Sequence, residues 1–353
     1  MTSEHRDMLS PASLILVSDQ VEIDDEATRQ MTTLVDGIVF PLILKPQEGM
    51  LTDTESCLAW FARHGDTIRQ ALCDHGAIFF RAFPLKGALD FERSIDQAQF
   101  KEMPYVGGAA PREVVTKRRI LTANESPADQ PIPFHHEMAQ VPHPPGYVFF
   151  YCEVAPGHGG ATPIVHSHQV YQRFKKINES FCQKLEELGV RYVRVMPAED
   201  DPSSPIGRSW RATFQVTDAA PEIAKKQAEE KMREAGTEWR WLENDELHTI
   251  TAVVPAIRIE PRTQRPTFFN SAVAAYTGWS DRRNDPTQAV RCGDHSPVDG
   301  AALLATAEAM REERVVIPWQ EGDMMWIDNQ LTMHSRQPYE GPRRILAAIA
   351  PQH

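Results

Sequence analysis

The chain reads FHHEMAQ at residues 134–140 and WIDNQLTMHSRQPYEGPRRIL at residues 326–346. If the first stretch is extended, His135 and Glu137 lie on one face of the strand and offer an imidazole nitrogen and a carboxylate oxygen. His334, in the second stretch, supplies a second imidazole. Two histidines and one carboxylate form the facial triad that binds Fe(II) and leaves three adjacent coordination positions open. These three residues are therefore candidate metal-binding and catalytic residues.

The co-substrate of such an iron centre imposes a second requirement. A His-x-Glu pair alone is weak evidence, because a chain with 13 histidines contains such pairs by chance. A 2-oxoacid, however, chelates the iron at one end and needs a bidentate cation at its far carboxylate, which the planar fork of arginine provides. Arg343 and Arg344 follow His334 within the reach of one hairpin. GHGGATPIV at 157–165 also places the hydroxyl donor of Thr162 after a glycine turn.

Four short motifs resemble a known family. FHHE, GGATPI, GDMMWIDNQLTMH and GPRRIL, in that order, are similar to the taurine dioxygenase and clavaminate synthase-like family of Fe(II)/2-oxoglutarate-dependent oxygenases. The resemblance extends from about residue 35 to residue 350. Three longer stretches resemble a clavaminate synthase-like branch known from plants, namely HHEMAQVPHPPGYVFFYCEVAPGHGGATPIVHS, EDDPSSPIGRSW and NSAVAAYTGWSDRRNDP.

The resemblance assigns roles to five positions. It implies three iron ligands and two residues that bind 2-oxoglutarate, in this order: His135, Glu137, His334, Thr162 and Arg344. Arg344 is preferred over Arg343 because the family's arginine is the second of the pair, immediately before an aliphatic residue, here Ile345. The taurine enzyme has a further arginine for its sulfonate, where this chain has Ala348. A sulfonate substrate is therefore not expected.

The implied activity is that of a dioxygenase that uses Fe(II), 2-oxoglutarate and O2. We expect hydroxylation of an unactivated C–H bond in a small molecule, an amino acid or a natural-product intermediate, with release of succinate and CO2. Halogenases of the superfamily replace the carboxylate ligand by a small residue, so Glu137 argues against halogenation. Two alternatives remain open: a non-catalytic jelly-roll binding protein, and a zinc-dependent hydrolase using the same triad. The hydrolase would leave Arg344 and Thr162 without a role.

Composition limits the partners. The net charge of −12 argues against binding to nucleic acid or to an anionic membrane, since both favour a basic surface. The apolar run SLILV at 13–17 is too short for a signal peptide or a membrane span. Five cysteines without a C-x-x-C pair are typical of reduced, mostly buried thiols. We therefore expect a cytoplasmic protein that acts on a small molecule; its oligomeric state is left open.

The pattern along the chain predicts one catalytic domain at 35–353 after a polar leader at 1–34, which forms a tail or a peripheral strand. The turn-rich stretch at 197–212 is a candidate lid. Helices are predicted in DTESCLAWFARHGDTIRQALCDHG, LDFERSIDQAQF, HQVYQRFKKI, ESFCQKLEELG, about 221–235, and GAALLATAEAMREER. Strands are predicted in AIFFRAF, GYVFFYCEV, TPIVHS, RYVRVM, TAVVPAIRI, PTFFNSA, GDMMWIDN and RRILAAIA.

These elements favour an α+β, mainly β fold, a double-stranded β-helix or jelly roll with flanking helices and a lid insert. Such a barrel would bring His135 and His334 together at its mouth. His136 is expected to face the other way and to pack. The basic run TKRRI at 116–120 is either a solvated charged segment or a contact for an anionic substrate. His143, His158, His166 and His168 are separated by turns and are not expected to form a second metal site.

Overall fold

The computed structural model describes residues 7–108, 112–123 and 126–352. Within these ranges the α-helices are α1 (Pro11–Leu16), α2 (Asp25–Met31), α3 (Thr54–His75), α4 (Gly87–Gln97), α5 (Ser167–Ile177), α6 (Glu179–Leu188), α7 (Trp210–Thr213), α8 (Pro221–Glu234), α9 (Ala272–Gly278) and α10 (Gly300–Glu313). Short 3₁₀ turns lie at Glu243–Asp245 and Pro286–Gln288.

The strands of the same ranges are β1 (Val21–Ile23), β2 (Thr33–Val35), β3 (Ile38–Phe40), β4 (Leu42–Pro46), β5 (Ala77–Phe80), β6 (Leu121–Thr122), β7 (Ile132–His135), β8 (Tyr147–Val154), β9 (His158–Gly159), β10 (Ile164–His166), β11 (Val190–Met196), β12 (Glu238–Trp241), β13 (Leu247–Ile250), β14 (Arg258–Ile259), β15 (Pro266–Thr267), β16 (Val290–Cys292), β17 (Met324–Asp328), β18 (Thr332–Arg336), β19 (Tyr339–Glu340) and β20 (Arg344–Ala350).

A seven-stranded sheet with the order β1-β4-β5-β17-β8-β20-β6 forms the centre of the fold. Its pairs are antiparallel except for β4 and β5, which run parallel. The central strands β8, β17 and β20 are nearly continuous apolar runs, as expected for strands that are covered on both faces. One face packs against α3 and α4 through an aromatic cluster that includes Trp60, Phe61 and Trp326.

The second sheet carries the candidate ligands and has the order β10-β18-β7. His334 in its central strand lies directly opposite His135 on one side and Ile164 on the other. Ile164 shares a buried core with Phe79, Phe150 and other residues of the seven-stranded sheet. The two sheets therefore face each other across an apolar layer, with His334 in the middle strand of the smaller one.

The boundary between α3 and β5 helps to fix β18. Helix α3 begins with a capping box between Asp53 and Ser56 and ends at Gly76, whose φ of 68° suits glycine. A Cβ at Gly76 would lie 2.7 Å from the hydroxyl of Thr332, so the position also needs the space. The Gly76 carbonyl accepts hydrogen bonds from the Thr332 hydroxyl and from the amide of Asp328, each at 2.9 Å. These two bonds hold the turn that leads into β18, the strand that carries His334.

A further unit lies between β10 and β17 in the chain. The four-stranded sheet β12-β13-β11-β16 packs with α5, α6, α9 and α10 around a second buried core. Helices α7 and α8 close a smaller cluster on the outer strands of that sheet. Helix α9 of this unit packs against β7, the strand that carries His135.

Most of the predicted helices and strands are present, with two exceptions. In TAVVPAIRI only Arg258–Ile259 is a strand, and in PTFFNSA only Pro266–Thr267. Pro255 lacks the amide that a ladder requires. The Asn270 side chain accepts from the amide of Ala272, the first residue of α9, so PTFFNSA runs into a helix.

Part of the polar leader lies in the main core. β1 is an edge strand of the large sheet, and Leu16 and Val21 are fully buried. The five cysteines are buried and free. In the described part of the chain no helix is long and apolar enough to cross a membrane. The mixed α and β content agrees with the predicted class, while strand pairing in those ranges gives separate sheets rather than one closed barrel.

Candidate metal centre

The structure brings His135, Glu137 and His334 together. One ligand atom from each lies within 4.8 Å of the other two. Nε2 of His334 is 3.7 Å from Oε2 of Glu137, and the two imidazole rings are 4.3 Å apart between centroids. The cross-strand register of β7 and β18 pairs the two histidines, and the chain then turns so that the carboxylate reaches the same point. All three side chains face one cavity.

The two imidazoles are in the state that a metal requires. Nδ1 of His135 is 2.8 Å from the carbonyl oxygen of Pro133, which can only accept, so Nδ1 carries the proton and Nε2 keeps its lone pair. Burial lowers the pKa of His135, and burial followed by repulsion from His135 and Arg112 lowers the pKa of His334 well below its ordinary value. Both rings are therefore neutral at neutral pH. Two neutral imidazoles and one carboxylate fit an iron ion.

Buried hydrogen bonds fix the segment that carries His135 and Glu137. His136 is fully buried, as predicted: its Nδ1 lies 2.5 Å from the carbonyl oxygen of Asn329, and its Nε2 lies 2.9 Å from the hydroxyl of Ser167. Asn329 also bonds the backbone of Glu137 with its side chain. Asn329 lies in the motif WIDNQ, but no role is predicted for it from the sequence. Its place five residues before His334 was the available signal.

Glu137 has a cationic partner that the sequence did not reveal. Arg112 donates a hydrogen bond of 2.9 Å to Oε2 of Glu137, and both side chains are buried. The Arg112 guanidinium also lies over the ring of Tyr105, 4.4 Å from its centroid. Burial disfavours the charged form of Arg112, but attraction to Glu137 and Tyr105 outweighs it, so the pKa of Arg112 is raised. The chain therefore keeps a permanent cation beside the candidate ligand set.

The cavity at the triad has a volume of about 110 Å³ and contains the predicted Thr162. Beside Thr162 lies Arg343, which is half-buried and donates from Nε to the carbonyl of Gly160 at 2.8 Å. Nη2 of Arg343 is 3.4 Å from the Thr162 hydroxyl, which also accepts from Nε1 of Trp319 at 3.1 Å. Gly160 has a φ of 66°, and a Cβ there would lie 3.0 Å from Cδ of Arg343. The glycine turn thus leaves room for the arginine.

Arg344 lies elsewhere, and its predicted role requires correction. Its side chain is 49% exposed and pairs with Glu153 at 3.1 Å, outside the cavity. Neighbouring residues on an extended chain point to opposite faces, so only one of the pair can enter the site. The register between β20 and β8 shifts at Arg344 and Ile345, and a bulge of this kind cannot be seen in sequence. Arg343 therefore takes the place expected for Arg344. Burial lowers its pKa to about 10, which leaves it charged at neutral pH.

The candidate lid at 197–212 touches the cavity and is tied down by buried arginines. Pro205 and Ile206 line the cavity wall. Arg194 donates to the carbonyl oxygen of Ile206 at 2.7 Å, and Arg283 pairs with Asp201 at 2.6 Å. Contacts from these two residues outside the loop therefore fix its conformation, which the turn-rich loop could not do alone.

The basic run at 116–120 lies away from the cavity. Arg118 and Arg119 both pair with Asp96, at 2.6 and 2.9 Å. These two guanidinium groups form ion pairs with α4, and they do not line the cavity.

Comparison with known proteins defines the class. Residues 44–349 match the family described as taurine catabolism dioxygenase TauD, TfdA family. The chain belongs to this family and is an Fe(II)- and 2-oxoglutarate-dependent dioxygenase. It is 45% identical over 314 residues to a clavaminate synthase-like protein from Arabidopsis thaliana, a match that covers 88% of this chain and 93% of that protein.

Two more distant proteins are also similar. The dapdiamide synthesis protein DdaC from Enterobacter agglomerans is 26% identical over 311 residues, with 84% of this chain and 88% of that protein covered. The crystal structure of the PvcB protein from Pseudomonas aeruginosa superposes with a TM-score of 0.51 and 14% identity, over 89% of this chain and 86% of that one. At that identity the likeness concerns the fold, which is of the TauD type.

Proposed function

We propose that this dioxygenase hydroxylates an unactivated C–H bond of a small molecule, an amino acid or a natural-product intermediate, and releases succinate and CO2. The observation that carries the proposal is one cavity that contains His135, Glu137 and His334 at one end and Arg343 with Thr162 beside them. A metal triad and a cationic carboxylate site in one cavity match the two ends of a chelating 2-oxoacid. We also propose that the two facing sheets form the family's jelly roll.

Each group has a distinct task. His135, Glu137 and His334 hold the iron, which when bound supplies the activation of O2 that no side chain can provide. Arg343 binds the distal carboxylate of 2-oxoglutarate, and the Thr162 hydroxyl donates to the same group. The buried Phe150 and Ile345 on the cavity wall exclude water from this end. The protein thereby orients the co-substrate and keeps the reacting C–H bond away from solvent.

The substrate side of the cavity has its own cation. Arg112 lines the cavity, and its Nε is buried without a hydrogen-bond partner among the described residues. A substrate carboxylate would give this nitrogen an acceptor and would add a second carboxylate to the one that Glu137 provides. This supports an amino acid or another carboxylic acid as substrate. The name of the Enterobacter relative connects that protein with dapdiamide synthesis, which is in keeping with a small-molecule substrate here.

The test has two stages. Anaerobic addition of Fe(II) and 2-oxoglutarate should produce the weak visible charge-transfer band of the iron chelate, and Zn(II) in place of Fe(II) should not. A panel of amino acids and acyl amino acids should then be screened for substrate-dependent succinate and for a product heavier by one oxygen atom. Absence of the chelate band would overturn the iron and 2-oxoglutarate assignment. A product that has lost two hydrogens would replace hydroxylation by desaturation.

A further inference from the structure

A second cavity adjoins the iron cavity. It has a volume of about 300 Å³ and lies between the sheet of β11 and β13, the end of α8, and the chain around residues 106–107 and 140–142. Gln140 and Trp279 line both cavities. The Gln140 side chain donates to the carbonyl of Gly107 at 3.2 Å, and the Trp279 ring lies 5.7 Å from that of Tyr192. These two side chains therefore form the partition between the cavities.

The iron cavity is too small to hold both organic substrates. Sites for small molecules and cofactors usually enclose about 300–1,000 Å³. The iron cavity, at about 110 Å³, falls below that range, and 2-oxoglutarate must occupy the part beside Arg343 and Thr162. The second cavity brings the combined space into the usual range. A prime substrate that places one carbon near the triad therefore needs room beyond the partition.

The lining of the second cavity indicates which chemistry fits there. Most of it is apolar, including Val106, Val141 and Met196. Among the described residues that line it, the charged ones are Arg194 and Lys231. Arg194 is buried and donates to the carbonyl of Ile206, whereas Lys231 lies at the exposed rim and donates to the carbonyl of Phe214. Apolar walls favour a hydrocarbon group.

We propose that the second cavity binds a hydrocarbon arm of the prime substrate, aliphatic or aromatic, which reaches it between Gln140 and Trp279. The substrate is then a carboxylic acid whose polar end and reacting carbon lie in the iron cavity, near Arg112 and the triad. This inference rests on the proposed function, since it assumes that 2-oxoglutarate fills the other end of the iron cavity. It narrows the substrate class to amphipathic acids.

A chain-length series provides the test. Linear carboxylates from butanoate to dodecanoate are titrated anaerobically into the protein loaded with Fe(II) and 2-oxoglutarate, by calorimetry and by tryptophan fluorescence, which Trp279 reports. Affinity should rise about fourfold for each added methylene, the equivalent of about 0.8 kcal/mol, until the cavity is full, and then level off. Alkylammonium ions of the same lengths should bind at least tenfold more weakly. Affinity that does not depend on chain length, or equal binding of the two series, would overturn the proposal.

Substitutions in and beside the second cavity test whether the hydrocarbon arm binds there. Ala252→Phe places a ring in the second cavity, whereas Val253→Phe changes the adjacent residue, which is 44% exposed and does not line it. Decanoate affinity should fall at least tenfold in Ala252→Phe and stay within twofold in Val253→Phe. Ala235→Leu, which enters from the end of α8, is a second filling variant in case the first does not fold.

Each variant is also titrated with Fe(II) and 2-oxoglutarate, and the chelate band should be unchanged. Decanoate affinity that survives both filling variants would place the arm elsewhere and overturn the inference. A missing band in the wild-type protein would instead refute the proposed function. The chain-length series and the filling variants, run on the protein without Fe(II) and 2-oxoglutarate, would still show whether the second cavity binds a hydrocarbon chain.

Discussion

The side chain of Asn329 holds the backbone of Glu137 on both sides. Its Oδ1 accepts from the Glu137 amide at 2.8 Å, and its Nδ2 donates to the Glu137 carbonyl at 3.0 Å and to the Pro145 carbonyl at 2.8 Å. Asn329 is fully buried in the turn between β17 and β18, and β18 carries His334. One asparagine thus fixes the segment bearing two candidate ligands relative to the strand that bears the third. It is a positioning residue, since it touches no reacting group.

Asn329→Ala should weaken both the fold and the metal site. The substitution removes three buried hydrogen bonds, and each backbone group left unsatisfied costs about 1–3 kcal/mol. We expect the free energy of unfolding to fall by about 2–5 kcal/mol and the Fe(II) affinity by roughly 10–100-fold, as for other outer partners of metal ligands. Urea unfolding and an anaerobic Fe(II) titration measure the two effects.

Asn270→Ala is the matched control. Asn270 is also fully buried and bonds two backbone groups, the Ala256 carbonyl and the Ala272 amide, each at 2.8 Å. Its loss should destabilise the protein to a similar degree and leave Fe(II) affinity within about twofold, because it does not hold a ligand segment. Equal losses of iron affinity in the two variants would show that Asn329 acts through general stability alone.

Removal of a ligand should have a larger effect. In His135→Ala, Glu137→Ala and His334→Ala we expect loss of iron and of succinate formation beyond the roughly 10–100-fold of an outer partner. Each variant should stay folded, since the three side chains line a cavity rather than fill the core. His158→Ala, at an exposed histidine on β9, is the control and should bind iron normally. Native iron content and turnover in any ligand variant would remove that residue from the triad.

The sequence predicted what depends on short-range pattern. The sequence places His135 and Glu137 two residues apart, although a turn after the end of β7, and not strand alternation, brings the carboxylate to the site. Helix α3 follows from its cap at Asp53 and its end at Gly76. These features are set within a few residues of the chain. The distant His334 was predicted because it completes a facial triad, and the resemblance to a family implies the same role; no local pattern pairs it with the other two.

What the sequence missed depends on register and on contacts between distant segments. Arg343 and not Arg344 faces the cavity, next to a shift in the register between β20 and β8 at Arg344 and Ile345. Arg112 reaches Glu137 from a segment without helix or strand pattern. The ties between Arg283 and the lid at 197–212 join residues about 80 positions apart. Such contacts are properties of the packed fold, so single-sequence patterns do not carry them.

The two neighbouring arginines can be separated by experiment. Arg343→Ala should raise the 2-oxoglutarate requirement by about two orders of magnitude or more, because two charge-assisted hydrogen bonds of about 1.5–3 kcal/mol each are lost. Fe(II) affinity should stay nearly unchanged. Arg343→Lys should recover only part, since a point charge cannot replace the planar fork. The measurement is a 2-oxoglutarate titration followed by the chelate band.

Arg344→Ala is the control for this series, and it should lose only the exposed pair with Glu153, worth about 0–1 kcal/mol. Its 2-oxoglutarate affinity should equal that of the wild type. A larger loss from Arg344→Ala than from Arg343→Ala would restore the role that the sequence resemblance gave to Arg344.

The buried His166 should make the fold sensitive to acid. Burial, with smaller contributions from Arg265 and His168, lowers the pKa of His166 to about 3, whereas a histidine in an unfolded chain titrates near 6.5. Between these values the unfolded chain binds a proton that the folded protein does not, so stability falls as the pH is lowered, by up to about 1.4 kcal/mol per pH unit. His166→Asn offers the His168 amide an acceptor in place of Nδ1 and cannot titrate. Urea unfolding at pH 7, 6, 5 and 4 gives the free energy of unfolding of each protein. This free energy should fall less steeply with decreasing pH in His166→Asn, by the equivalent of about one proton taken up on unfolding. Parallel curves for the two proteins would mean that His166 is protonated in the folded state.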